Sequence, residues 1–333
     1  MRLAVGQGQR ASALRYLASR RASPYLLLGL AVLFWAGNFV VGRAAHEVVP
    51  PIAFNFWRWT VALAVLLPFA WPELQRHWTM VLHEWRSLAA LALCGITAFH
   101  SAVYLGLGDA EAINGALYFA TSPLFFVLFA WLLLGERIGG ARTLGIAASI
   151  AGALLVIGRG DPRNLLGLEF AAGDLWLVLS VVFWALYSVL LRRRPPALPP
   201  LALLAAIVGY GLAFLLPLYA AELWSGRTVQ VGPKSLASLA YVALFPSVIA
   251  YVFWNRGVRE VGPSLAGLFL PLMPVFSAVL AIPFLGERLA WYHCAGAALV
   301  GSGILLARGR AATRLPRPST NPDCRHDRSG GGG

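Results

Sequence analysis

Residues 118–159 read YFATSPLFFVLFAWLLLGERIGGARTLGIAASIAGALLVIGR: an apolar run, the turn Gly135-Glu136-Arg137, and a second apolar run. The pattern returns without a gap at 269–310, as FLPLMPVFSAVLAIPFLGERLAWYHCAGAALVGSGILLARGR. A shift of 151 places Pro123 on Pro274, Phe125 on Phe276, Leu134-Gly135-Glu136-Arg137 on Leu285-Gly286-Glu287-Arg288, Gly145 on Gly296, Gly152 on Gly303 and Arg159 on Arg310. Apolar helices resemble one another in hydrophobicity, but nothing makes them share glycine, proline, glutamate and arginine in one register. The chain is therefore a doubled unit.

With 333 residues, 59% hydrophobic and 12% charged, the chain has too little polar surface to cover a soluble domain of its size. Its apolar residues fall in blocks of about 17 to 24, the length at which a helix crosses a hydrocarbon core of roughly 30 Å. Spans are expected near 25–43, 52–71, 88–106, 112–134, 142–158, 174–191, 201–221, 236–255, 264–285 and 290–307. Ten spans divide into two fives, and because five is odd the second copy enters the bilayer from the opposite side. The expected fold is an all-α membrane protein of ten transmembrane helices, built as two inverted-topology five-helix repeats. The first repeat covers 25–160 and the second 174–307, joined by a loop over 161–173. A basic segment, 1–24, precedes them, and 308–333 reads as a disordered basic tail.

The net charge of +13 would suit a nucleic-acid binder in a soluble chain; here the cations sort by side of the bilayer instead. With a cytoplasmic N-terminus, 20 lie on the cytoplasmic side, 6 on the other, and Arg58 falls within a span, which accounts for all 27. That satisfies the positive-inside rule and predicts cytoplasmic N- and C-termini, with the bilayer rather than nucleic acid as partner. Sequons of the form Asn-x-Ser/Thr are absent, and Cys94 and Cys294 lie in spans while Cys324 lies in the tail, so a bacterial inner membrane fits better than a secretory route. The Arg-rich start has the look of a transit peptide, but Phe34-Trp35-Ala36 reappears as Phe183-Trp184-Ala185 and so belongs to the doubled unit.

Arg58 is the costliest residue in the spans, about 9 Å below the start of its helix counted from Ile52. An intramembrane arginine faces protein or water and marks an anion path, unless it snorkels beside Trp57 and Trp59 as interfacial aromatics. Trp35 and Asn38 share a helix face and correspond to Trp184 and Tyr187; His100 and Tyr104 correspond to Tyr251 and Asn255. Polar groups on apolar helices need partners, so these faces point into the bundle as substrate contacts or as interhelical hydrogen bonds. Span four adds Asn114, Tyr118 and Thr121 on one stripe, where span nine has Leu265, Phe269 and Leu272, which makes the site asymmetric. Pro123, Pro271 and Pro274 interrupt spans four and nine and free carbonyls there, or merely kink them. Ala148-x-x-x-Gly152 and Ala297-x-x-x-Gly301 permit close helix contact, as scaffold or as the face of a homodimer.

Several chemistries are excluded. No span carries Asp or Glu near its midpoint, which argues against carboxylate-based proton or sodium coupling and leaves His100 as the one candidate titrating near physiological pH. Gly106-Leu107-Gly108-Asp109 lacks the second aspartate an intramembrane protease needs, and neither His-Glu-x-x-His nor an ATP-binding Gly-x-x-x-x-Gly-Lys-Ser/Thr occurs. No metal or other cofactor is expected. An enzyme using His100 and Tyr104 on a lipid, or a noncatalytic membrane scaffold, remain the alternatives to a carrier.

Phe34-Trp35-Ala36 in span one, Arg58 in span two, the Pro123 span ending in Leu134-Gly135-Glu136-Arg137 and the glycine-rich helix after it, all then repeated, resemble the EamA branch of the drug/metabolite transporter superfamily. Within it the Trp- and Tyr-rich chain looks most like the aromatic amino acid exporters. The resemblance implies a ten-helix carrier whose central cavity is lined by spans one, three, four, six, eight and nine, with Trp35, Asn38, His100, Tyr104, Tyr118, Trp184, Tyr187, Tyr251 and Asn255 facing it. It would export a small amphipathic metabolite such as an amino acid by alternating access, with the aromatics on the apolar part, Asn38 and Asn255 on the polar part and Arg58 on an anionic group.

Overall fold

The computed structural model describes residues 22–45, 49–109, 112–167, 172–193, 198–285 and 290–308. They form a bundle of ten principal helices. In the first half α1 is Pro24–Ala45, α2 Pro51–Arg76, α4 Ala112–Leu134 and α5 Gly140–Ile157. Between α2 and α4, α3 runs as Trp85–Ala92, a π-helical stretch Leu93–Ala98, and Phe99–Asp109. In the second half α6 is Ala172–Arg193, α7 Pro200–Trp224 and α10 Trp291–Arg308. There α8 runs as Pro233–Val242, a π-helical stretch Ala243–Ile249, and Ala250–Val261, while α9 is Pro263–Ala266, a 3₁₀ turn Gly267–Phe269, and Leu272–Leu285.

All ten expected spans are present as helices, with ends that differ by a few residues. Six are long and apolar enough to cross a membrane: Pro51–Arg76, Trp85–Gly108, Gly140–Ile157, Ala172–Arg193, Pro200–Trp224 and Pro233–Val261. The largest displacement is the end of α8, which passes the apolar limit at Asn255 and continues through Arg256 and Arg259 to Val261. Arg256 Nε bonds Glu260 Oε1 at 2.7 Å one turn on, which supports the helix where hydrophobicity stops. Prolines open α2, α7, α8 and α9, where a missing N–H costs nothing because the first turn has no acceptor for it.

The Gly-Glu-Arg turn after α4 has a defined role. Gly135 takes φ +67°, a left-handed conformation open to glycine, and ends the helix. Glu136 then accepts from Ser264 Oγ at 2.5 Å and lies 3.7 Å from Arg142 Nη1, tying the end of α4 to the start of α9. The equivalent turn, 286–289, lies outside the described residues, as do the basic segment up to residue 21, the connecting loop's 168–171 stretch and the tail from 309.

Two expectations change. Helix α4 is continuous through Pro123; of the prolines singled out, Pro271 sits at the interruption of α9 and Pro274 in the first turn after it. The proline that reshapes a site helix is Pro246, inside the π-helical stretch of α8. The glycine faces are also used differently. α5 and α10 pack on each other within the chain: a Cβ on Gly152 would lie 2.7 Å from the Gly296 carbonyl, and one on Gly145 would lie 2.5 Å from that of Gly303. Gly301 has open space around it, so the contact glycines are the four related by the 151-residue repeat and not the Ala297-x-x-x-Gly301 spacing. With no hydrophobic drive between helices in lipid, such close backbone approach holds the halves together.

Candidate functional site

The polar heart of the bundle is Arg58, on α2, fully buried. Its Nε donates to Ser247 Oγ at 2.6 Å, and Nη1 donates to Tyr104 Oη at 2.6 Å and to Asn38 Oδ1 at 3.3 Å. Tyr104 Oη donates in turn to Asn38 Oδ1 at 3.2 Å. The guanidinium thus joins α1, α2, α3 and α8, and lies over the Trp59 ring with its carbon 5.3 Å from the centroid. A buried cation without a carboxylate beside it is held by neutral oxygens alone, and Nη2 has no partner among the described residues.

Two π-helical stretches supply Ser247 and the backbone carbonyls that bond the surrounding rings. They occupy the same place in the repeat, 93–98 and 243–249, and the wider turn frees carbonyls from the helical ladder. In α8, Pro246 has no N–H to give; Ser247 Oγ takes up the Val242 carbonyl at 2.6 Å while accepting from Arg58. The Pro246 carbonyl accepts from Trp35 Nε1 at 3.0 Å. In α3, the Gly95 carbonyl accepts from Tyr251 Oη.

The second half builds its own pair. Tyr187 Oη donates to Asn255 Oδ1 at 2.7 Å, joining α6 to α8 as Tyr104–Asn38 joins α3 to α1. Tyr and Asn have exchanged helices, and no described arginine side chain hydrogen-bonds this pair, although Arg259 bears on Tyr187 through space: the offset that relates Trp35 to Trp184 puts Ile207 where Arg58 would stand.

Between the pairs lies a cluster of rings. Trp35 meets Trp184 edge-on at 5.0 Å and Trp254 at 5.1 Å; Trp59 meets His100 at 5.3 Å and Tyr251 at 5.0 Å; Trp184 stacks on Tyr187 at 5.0 Å. Nine of the ten expected contact residues are therefore buried together: Trp35, Asn38, Arg58, His100, Tyr104, Trp184, Tyr187, Tyr251 and Asn255. Tyr118 is not among them. It is half-buried at the edge of the core and shares no hydrogen bond or ring contact with the nine among the described residues. The Asn114 side chain lies outside the described residues.

Sequence reading missed Trp59, Trp254, Ser247 and Ser188. The snorkelling alternative groups Trp57 and Trp59 as interfacial aromatics, but residues two apart on a helix point about 200° apart. Trp57 is half-exposed and donates to Tyr219 Oη at 3.2 Å, whereas Trp59 is fully buried against His100. Trp254 Nε1 donates to Ser188 Oγ at 3.0 Å. Ser247, one turn before Tyr251 on an apolar helix, was legible by the spacing that singled out His100 and Tyr104.

Comparison with known proteins gives this arrangement a family. The model of the EamA-like transporter family matches residues 22–158 and again 171–309. The chain belongs to the EamA-like transporter family. The uncharacterized transporter YyaM of Bacillus subtilis is 28% identical over 297 residues, covering 89% of this chain and 95% of that protein. A probable terminal-alkyne amino-acid exporter of Streptantibioticus cattleyicolor is 29% identical over 297 residues, covering 88% and 96%. A crystal structure at 23% identity superposes with a TM-score of 0.70 over 86% of this chain and 97% of its own, a likeness of fold. The family member described here is thus a multi-pass membrane transporter of a small molecule, and the lipid enzyme and the inert scaffold fall away.

Proposed function

We propose that this chain is a secondary transporter that exports small amphipathic metabolites, amino acids among them, across a bacterial inner membrane by alternating access. Its two five-helix halves cross the bilayer in opposite directions, with both termini in the cytoplasm. The orientation follows from the excess of cations on the cytoplasmic side, and the opposed halves from the odd number of spans in each. The observation that carries the reading is the Arg58 guanidinium: fully buried, fixed by three neutral oxygens, and with Nη2 left for a further acceptor. A substrate carboxylate is the acceptor a guanidinium fork fits best. The surrounding Trp35, Trp184 and Tyr251 rings suit the apolar part of the same molecule, and Asn38 and Asn255 its amine. The relative described as a probable amino-acid exporter favours that cargo.

Purified protein reconstituted in vesicles is expected to accelerate counterflow of at least one radiolabelled amino acid, and Arg58→Ala to abolish it while still inserting. No acceleration for any amino acid in the panel would overturn the cargo. Cysteines placed at Glu136 and Glu287 should label from opposite faces of the bilayer, and labelling from one face would overturn the opposed halves.

A further inference from the structure

An offset of 149 pairs Pro50-Pro51-Ile52-Ala53 at the start of α2 with Pro199-Pro200-Leu201-Ala202 at the start of α7, and Glu73 near the end of α2 with Glu222 near the end of α7. The two helices pack antiparallel, so each glutamate stands where the other helix begins. One junction is closed. Glu222 is buried and accepts from the Ile52 N–H at 3.1 Å and the Ala53 N–H at 2.6 Å, two donors that a helix start leaves without an internal partner. Its charge also suits the positive end of the α2 dipole. The other junction is open. Glu73 lies 3.8 Å from Arg76 Nη1 and 3.9 Å from His77 Nδ1 on its own helix, and no described side chain caps the start of α7.

The same asymmetry appears deeper in the bundle. Trp35 Nε1 is bonded to the Pro246 carbonyl, while its counterpart Trp184 Nε1 has no partner among the described residues; the Gly95 carbonyl that would match Pro246 is taken by Tyr251. A cavity of about 370 Å³, lined by Arg86, Ser87, Ala90, Leu91, Leu190 and Arg193, opens at the end of the bundle where Glu73 is paired locally with Arg76 and His77 rather than with α7.

We propose that Glu73 and Glu222 are paired gate residues of transport, each capping the first turn of the other half's second helix in one of two alternating states. Glu222 closes its end of the bundle in the state seen here; Glu73 closes the opposite end in the other. The exchange loses one capped helix start and gains an equivalent one, which keeps the two states close in free energy, as a cycling carrier requires. This rests on the alternating-access reading above but not on the identity of the cargo.

The test uses the full chain in lipid nanodiscs with Cys94, Cys294 and Cys324 replaced, spin-labelled at Pro50→Cys with Arg227→Cys for one end and at Thr79→Cys with Leu201→Cys for the other. Distances are read by double electron–electron resonance without substrate. Glu222→Ala should lengthen the first distance and shorten the second, changing the ratio of states about tenfold or more for each charged hydrogen bond lost. Glu73→Ala should shift the ratio the opposite way. Glu222→Gln, which keeps one acceptor, should give an intermediate shift and serves if the alanine variant does not fold. Shifts of both variants in one direction, or no shift in either, would overturn the gate. Reciprocal shifts in a protein that moves none of the amino acids tried would keep the gate and remove only the cargo.

Discussion

The Tyr104–Asn38 and Tyr187–Asn255 pairs are one hydrogen bond made twice, once in each half, with donor and acceptor exchanged between helices. Among the described residues only the first is hydrogen-bonded to a charge, because Arg58 reaches it and Ser247 steadies the guanidinium from the other half. Duplication supplies two equivalent scaffolds, and the second, with Ile207 at the position of Arg58, is left as a link between helices without a guanidinium in its hydrogen bonds.

The sharpest way to break this comparison is Arg58→Ala, expected to lower amino-acid counterflow about 100-fold or more, since a charged donor set worth roughly 1.5 to 3 kcal/mol per bond disappears. Arg58→Lys should recover little of it, because one ammonium cannot present Nε and Nη1 in a fixed fork. Next, Tyr104→Phe should reduce flux about tenfold and Tyr187→Phe about threefold, one bond touching the cation and the other not. Equal losses would mean that both pairs are structural. Ser247→Ala should reduce flux about fivefold by releasing the Nε contact, with insertion unchanged. The smallest effect is on stability: Trp35→Phe should destabilise the bundle by about 1 kcal/mol more than Trp184→Phe in thermal unfolding, since only Trp35 Nε1 is bonded.

Other regions carry the same contrast between what spacing reveals and what packing decides. Gly145, Gly152, Gly296 and Gly303 stood out through the repeat alone, yet which glycine faces which depends on α5 and α10 crossing antiparallel. Pro123 and Pro246 are both prolines in apolar helices; one leaves its helix intact and the other sits in a π-helical stretch, and neither outcome follows from local propensity because a neighbouring donor must take the freed carbonyl. Glu222 reads in sequence as an acid at a span's end. Its partners, the Ile52 and Ala53 amides, are 170 and 169 residues away and have no side-chain signature at all.

The sequence by itself determined the doubled unit, the ten helices, the family, and the burial of Arg58 with Trp35, Asn38, His100, Tyr104, Trp184, Tyr187, Tyr251 and Asn255, because in lipid a polar residue on an apolar helix has nowhere to go but inward. Tertiary structure alone decided the partners: which oxygens hold the guanidinium, that Tyr118 stays at the edge, that Trp59 joins the core, and that one helix start is capped while its twin is not. Burial is set by the chemistry of one side chain, whereas a hydrogen bond is set by the distance and direction between two, and those are fixed only when helices from both halves have packed.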